Sequence, residues 1–422
     1  MNTLSKLGIK SPVGLTGRTG RGSKATDLAT LLATKRLIVV CGSGGVGKTT
    51  TSAAMAIAAA QAGRKVLVLT IDPARRLAAS LGLSELDNDP RRVDPALFQA
   101  RDLPMKGELW AMMLDTKRSF DDAVRRHAPR PEVAQRVLDN TIYQQISDAL
   151  SGTQEYMAME QLSELTRDNT YDLLVVDTPP TQHALDFLDS PDRMIGVLDS
   201  GVLKKVFGGA AKAGKSYFGW LRRSTKVVAS LFERVTGGEF FTDMVEFFSA
   251  FDELYEAMRN SSKRVKALLK GKDAAFILVT SPQPSHMQEA NYFLSRIDSY
   301  GVSLGGFIVN RVHSLADGTI PAGDAAPVPD RMVRSLRASV PALQANQQLE
   351  PLMQSLYSAW QRYAAMAQQD ATQIAQLEAR TRVWVKQVPY FEADIHDLSG
   401  LDKLNGYLFS DSRSAATERA GS

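Results

Sequence analysis

Arg36 to Thr51 reads RLIVVCGSGGVGKTTT, and the reading of this stretch decides the fold. The apolar run Leu37 to Val40 enters Gly42-Ser43-Gly44-Gly45-Val46-Gly47-Lys48-Thr49, which fits G-x-x-x-x-G-K-[ST], and the Ala-rich segment after it favours helix. The order is strand, glycine loop, helix. Glycines let successive backbone N–H groups turn inward around an anion with no Cβ in the way, and the first turn of the helix adds the positive end of its dipole. Gly42 through Thr50 therefore read as a phosphate cradle. Within it, Lys48 is placed to reach the β- and γ-phosphates of ATP, and the Thr49 hydroxyl to hold Mg2+.

Outward from the loop, short β-branched runs alternate with longer helical patterns. Besides Leu37 to Val40, the strand candidates are Lys65 to Thr70, Leu109 to Leu114, Asp172 to Val176, Ala275 to Thr280, Leu304 to Val309 and Trp384 to Val388, and the loop helix ends near Gly63. Near-continuous apolar strands separated by helices predict an α/β fold, a P-loop NTPase with a mainly parallel sheet covered on both faces and ligands beyond the carboxyl ends of its strands. Three of those ends carry polar residues: Asp72-Pro73-Ala74-Arg75-Arg76, Asp177-Thr178-Pro179-Pro180-Thr181-Gln182-His183, and Asn310-Arg311. Asp177 fits the carboxylate that supports the magnesium ion, and Asp72 one that orients or deprotonates the attacking water. A lone Asp at a strand end is usually a turn or helix cap. Two of them behind one phosphate loop favour chemistry.

The 422 residues could hold two or three average domains or one elaborated α/β domain. Hydrophobic content of 44% and charged content of 23% are those of a globular protein with a large core. A net charge of +4 is mildly basic and mostly a solvated surface; nucleic acid, which would need a clustered basic patch, is not expected as a partner, although one such cluster stands between Asp199 and Glu233. Cys41 is the only cysteine, which excludes an internal disulfide and a Cys-pair metal site and fits a reducing cytoplasm. No apolar run approaches the length of a membrane span. Residues 1–30 carry Lys6, Lys10, Arg18, Arg21 and Lys24 against Asp27, with no secretory apolar core. A disordered basic tail is expected there, with a transit peptide or an anion-binding arm as alternatives, and a second tail at 411–422. The ATPase domain is then 31–410, with helical insertions near 117–165 and 192–271.

The phosphate loop, Asp72-Pro73-Ala74, the stretch Asp177 to His183 and Asn310 stand in the order and spacing of the anion-transporting ATPases, the family of arsenite-pump ATPases and of the ATPase that targets tail-anchored membrane proteins. The chain resembles that family from about residue 35 to 405. It is most similar to a bacterial, actinobacterial-type branch with which it shares Gly-Gly-Val-Gly-Lys-Thr-Thr-Thr, Thr-Ile-Asp-Pro-Ala and the run Gly152 to Glu160, GTQEYMAME. The resemblance implies a dimer that closes around two ATP molecules, with Asp72 as the water-activating residue of a first switch and Asp177 as the magnesium-linked residue opening a second. It implies that Asn310 and the stretch from Pro389 hold the adenine, and that His183 belongs to the second switch.

The chain departs from the family at two points. Most members carry a second lysine directly after the first loop glycine, reaching across the dimer to the partner's nucleotide; Ser43 stands there instead. A serine cannot supply that cation. The chain then pairs with a related subunit that retains the lysine, or hydrolyses ATP slowly as a homodimer, or uses another cation, for which Arg75 and Arg76 are candidates. The family's zinc-binding Cys-x-x-Cys pair and its metalloid-binding cysteines are also missing. Zinc clasping and arsenite binding are accordingly not expected, and Cys41 is expected in the core.

Clients must be sought in the insertions. Between Asp199 and Glu233 stand Lys204, Lys205, Lys212, Lys215, Arg222, Arg223 and Lys226 without an acid, interleaved with Val202, Phe207, Tyr217, Phe218 and Trp220. Such a segment suits an anionic membrane surface, and equally a lid with solvated lysines. From Phe240 to Leu269, Phe241, Met244, Val245, Phe248, Phe251, Tyr255 and Met258 form one helical stripe, core by default and a client groove by composition and resemblance. A long helix follows the Gly/Ala/Pro-rich loop Asp317 to Pro329, its stripe being Leu352, Leu356, Trp360, Tyr363, Ile374 and Leu377. The predicted function is ATP hydrolysis that opens and closes a cytoplasmic dimer, peripheral to a membrane if the basic segment docks there, handling a hydrophobic or membrane-associated client. The alternatives are a low-turnover regulatory nucleotide-binding subunit and a membrane-cycling positioning ATPase.

Overall fold

The computed structural model describes residues 27–71, 76–140, 143–144, 154–179, 259–315, 329–340, 344 and 347–409. Its strands are β1 Leu37–Gly42, β2 Lys65–Thr70, β3 Arg91–Arg92, β4 Glu108–Met113, β5 Leu173–Asp177, β6 Ala274–Thr280, β7 Leu304–Val312 and β8 Trp384–Pro389. They form one sheet in the order β3-β4-β2-β5-β1-β6-β7-β8. Every pairing is parallel except that of β3 with β4. All seven strands expected from the apolar runs are present, each within a few residues of its expected bounds. The eighth, β3, is two arginines with no apolar pattern, held by pairing to Trp110 and Ala111, and tertiary contact alone creates it.

The helices are α1 Leu28–Thr34, α2 Lys48–Gln61, α3 Arg76–Ser80, α4 Pro95–Gln99, α5 Thr116–His127, α6 Pro131–Leu138, α7 Gln154–Arg167, α8 Pro284–Tyr300, α9 Pro329–Ser339, α10 Leu349–Arg380 and α11 Leu398–Phe409. β1, β5 and β6 are buried along their whole length, as central strands of a two-sided parallel sheet must be. Alternate residues serve opposite layers. Leu37, Val39 and Cys41 join one core with Leu69, Val176 and Phe276, while Ile38 and Val40 join the other with Val68, Val175 and Ile277. The small side chains of Ala53, Ala54, Ala56 and Ala60, all buried, let α2 lie close on the sheet directly behind the glycine loop.

One expectation is corrected. Residues 28–30 do not belong to a tail, because Asp27 caps α1 by accepting from the Thr30 N–H at 2.8 Å and Leu28, Leu31 and Leu32 are buried. The stripe of α10 is buried only in part, as packing on the sheet at one end and on a dimer partner at the other would have it. Ile374 and Leu377 are in the core, whereas Leu352, Leu356 and Tyr363 are exposed, because the C-terminal half of this 32-residue helix is the part that joins the sheet's core. Phe120, Val124, Val133, Val137, Met157 and Leu162 of α5, α6 and α7 share a core with β2, β4 and β5, so these three helices pack on the main sheet. The basic segment Lys204 to Lys226, the stripe Phe241 to Met258, His183 and the tail 411–422 lie outside the described residues. Among the described residues no helix is long and apolar enough to cross a membrane.

A buried ion pair ties α7 to α5. The Glu160 side chain is 4% exposed, and its Oε1 accepts from His127 Nε2 at 2.6 Å and from Arg126 Nη1 at 3.2 Å. Burial pushes the Glu160 carboxyl up, but the hydrogen bond and charge of His127, with Ser261 and Arg126, outweigh it and hold the group below the usual carboxylate range. A carboxyl depressed in the folded state contributes stability above its unfolded value, about 4.3, and loses it as pH falls through the folded value. We therefore expect Glu160→Gln to cost about 3 kcal/mol at pH 7 and less at pH 3.5. Urea unfolding at the two pH values checks this, and an equal cost at both would show that the folded chain does not hold the Glu160 carboxyl below its unfolded range.

Candidate nucleotide site

Backbone geometry makes the loop. Gly42 has φ 153°, and a Cβ there would sit 2.0 Å from the Val279 carbonyl oxygen of β6. Gly47, the residue before α2, has φ 96°, and its Cβ would sit 2.5 Å from Asn310 Nδ2. Neither position accepts a side chain in this conformation, so the loop is pressed against β6 and β7 on both sides of its arch. Lys48 is buried, and its Nζ donates to the Ser43 carbonyl at 2.9 Å, spanning the loop. Gly44 and Gly45 are exposed at the arch, and Val46 anchors it in the core.

Asp177, fully buried at the end of β5, is brought to the start of α2. Its Oδ2 accepts from the Thr49 hydroxyl at 2.5 Å and from the Thr70 hydroxyl at 3.1 Å, and its carbonyl accepts from the Ile71 N–H at 3.0 Å. Magnesium prefers hard oxygen ligands in a compact arrangement. The Thr49 hydroxyl beside the Asp177 carboxylate is a donor set of that kind, so these residues fit the ion. Among the described residues no group of three or more His, Cys, Asp or Glu side chains is placed to hold another metal. Cys41 lies in the core as expected, its thiol pushed up to about 12 by burial, and is chemically inert at neutral pH.

On the other side of the loop, Asn310 Nδ2 donates to the Val46 carbonyl at 2.8 Å. The register of β7 on β8 shifts between Val309 and Val312, and Arg311 there has φ 61°, a left-handed conformation rare outside glycine. The bulge coincides with the residue that grips the loop. A cleft of about 700 Å³ lies here, lined by Gly45, Gly47, Thr50, Asn310, Pro389 and Tyr390 among others. The loop, Asn310 and Pro389, expected at one nucleotide, thus border one space.

Asp72 lies outside the described residues, as do Arg75 and the stretch Pro180 to His183. The residue before Asp72 is clamped from two directions. Its N–H donates to Asp177, and the Ile71 carbonyl accepts from Gln154 Nε2, at the start of α7, at 2.5 Å. The run Gly152 to Glu160 contains this residue, but nothing in its spacing points to a strand 83 positions away. Sequence reasoning also missed Glu289 of α8, whose Oε2 accepts from the Ser43 hydroxyl at 2.6 Å. Ser43 was singled out for the cation it lacks; its actual partner is an acid, contributed by a helix about 250 residues distant.

The profile of the anion-transporting ATPases matches residues 35–319. The chain belongs to this family. It is a P-loop ATPase, and β8 and α11 lie beyond the matched span although the resemblance was expected to reach residue 405. It is 27% identical over 281 residues to the ATPase ASNA1 homolog 2 of Paramecium tetraurelia, covering 65% of this chain and 75% of that protein. It is 26% identical over 283 residues to the ATPase GET3 of Phaeosphaeria nodorum, covering 66% and 77%. To the ATPase get3 of Aspergillus terreus it is 25% identical over 288 residues, covering 68% and 76%.

The loop geometry separates three glycines experimentally. At Gly45 a Cβ meets nothing, so Gly45→Ala carries only the left-handed backbone cost of about 1 kcal/mol. Gly42→Ala must displace β6 backbone, and we expect it to destabilise by about 3 kcal/mol in urea unfolding. Gly47→Ala should spare more of the stability and weaken ATP binding, because the atom it displaces belongs to a side chain at the cleft. A ranking with Gly45→Ala as the most damaging of the three is incompatible with this loop.

Proposed function

We propose that this ATPase binds ATP with magnesium in the cleft between the phosphate loop and the ends of β7 and β8, and that hydrolysis opens and closes a dimer handling a hydrophobic or membrane-associated client. The observation that carries the reading is the meeting of Thr49, Asp177 and the Lys48 loop at the carboxyl ends of β1 and β5, in a chain of this family. The loop amides and Lys48 bind and orient the phosphates, and Asn310 and Pro389 border the place of the base. Thr49 and Asp177 hold the magnesium, whose bound charge offsets that of the phosphates. Asp72, next in the chain to the clamped Ile71, orients the attacking water, and Gln154 and Asp177 fix the strand end from which it departs. Exposed Leu352, Leu356, Tyr363 and Met366 on α10 offer an apolar face that burial against a second subunit would cover.

Ser43 supports a second reading, a low-turnover subunit of an unlike pair whose partner supplies the lysine. Its hydroxyl is committed to Glu289, and no cation stands at the position where relatives place one. Steady-state assays of the purified chain separate the two. If the chain is a competent homodimer, Asp72→Asn lowers turnover by about 10²-fold or more while ATP still binds, and Ser43→Lys changes little. If it is the low-turnover subunit, wild-type turnover is near background alone and rises when Ser43→Lys or a lysine-bearing partner is supplied. Unaltered hydrolysis in Lys48→Ala would refute both. Proteins captured on the Asp72→Asn variant with ATP identify the client.

A further inference from the structure

The first turn of the phosphate loop has a single side chain. Between Gly42 and Val46 the chain reads Ser43-Gly44-Gly45, and Gly42 and Gly45 both have positive φ, so Ser43 stands among peptides that carry no Cβ to restrict them. Glycine gives such peptides a wide choice of orientation, whereas an anion cradle needs its N–H groups in fixed directions. Two contacts from outside the loop remove that choice. Gly42 is pressed on the Val279 carbonyl of β6, and the hydroxyl of Ser43, a residue only 4% exposed, donates to Glu289 Oε2 of α8 at 2.6 Å. The second contact bears on the loop lysine, because the Ser43 carbonyl is the acceptor of Lys48 Nζ at 2.9 Å.

The helix that carries Glu289 is a firm support. Met287, Ala290, Phe293 and Ile297 bury one face of α8. Its first turn is tied to the end of β6: the Thr280 hydroxyl donates to the His286 carbonyl at 3.2 Å, and the Ser281 hydroxyl lies 2.7 Å from His286 Nδ1. β6 and α8, consecutive in the chain, therefore reach the loop at neighbouring residues, one through backbone and the other through a carboxylate. A hydrogen bond from a hydroxyl to a carboxylate is stronger than one between neutral groups. We infer that Glu289 is a positioning residue for nucleotide binding: by holding Ser43 it fixes the peptide whose carbonyl receives Lys48, and so fixes where the lysine stands toward the β- and γ-phosphates. The inference rests on the reading of Gly42 to Thr50 as the phosphate site.

Calorimetric titration of the full-length chain with Mg-ATP tests it through a cycle of two substitutions. Glu289→Ala should weaken ATP about fivefold, the size of effect expected when one preorganising hydrogen bond is lost. Ser43→Ala should weaken it by a similar factor and the double variant no further, since both changes remove the same contact. Glu289→Gln, whose amide oxygen still accepts the Ser43 hydroxyl, should retain most of the affinity. General loosening of α8, or a pure charge effect, would give neither that rescue nor that coupling to Ser43. The tether is overturned if Glu289→Ala binds ATP as the wild type does, if Glu289→Gln is as weak as Glu289→Ala, or if the two single effects add in the double variant. Lys48→Ala separates it from the reading beneath it. Loss of ATP in Lys48→Ala with no effect of Glu289→Ala overturns the tether alone; normal ATP binding in Lys48→Ala overturns the phosphate site and the tether together.

Discussion

The carboxylate of Asp177 joins three segments at one buried point, and the site depends on it. Thr49 brings the first turn of α2, Thr70 brings the end of β2, and the Ile71 N–H closes on the carbonyl of the same residue. A carboxylate without exposure is tolerated when hydrogen bonds meet it, and these hydroxyls come from the elements the chemistry needs side by side. The hydroxyl and carboxylate proposed to hold magnesium and the strand that leads to Asp72 are positioned together. Preorganised polar groups of this kind need little rearrangement when charge develops on a ligand.

The sheet order explains why these segments can meet. β1 lies between β5 and β6, so the loop that leaves it is flanked by Asp177 on one side and by the Val279 carbonyl on the other. β7 follows β6, and its bulge at Arg311 adds Asn310 as a third wall. Absent side chains at Gly42 and Gly47 let β6 and Asn310 approach to distances that a Cβ would forbid. The arch is thus shaped by its neighbours as much as by its own sequence.

Ser43 changes the chemical character of the loop's first turn. In place of a long cation directed outward there is a short hydroxyl directed at Glu289, and the same residue's carbonyl receives Lys48. One residue therefore links the loop lysine to α8, an element that begins just after β6. The acid beside the loop means that a lysine introduced at position 43 has an intramolecular partner within the same subunit. The polar order of this corner belongs to this chain's own sequence, and the general pattern of the family does not predict it.

The strands were legible because each is an apolar run long enough to be buried on both faces, and the phosphate loop because its glycines, lysine and threonine must be adjacent in the chain to work. Asp177 was legible for the same local reason, a carboxylate at the end of such a run. β3 was not, since two arginines carry no periodicity, and neither was the exposure of Leu352 and Leu356, since an apolar stripe does not say whether anything covers it. Amino-acid order by itself determined the fold class, the loop and the edge of the sheet where ligands gather, because those depend on neighbours along the chain. The tertiary structure decided which distant side chains complete that edge, Gln154 on Ile71 and Glu289 on Ser43, because a hydrogen bond depends on distance in space and leaves no period in the sequence.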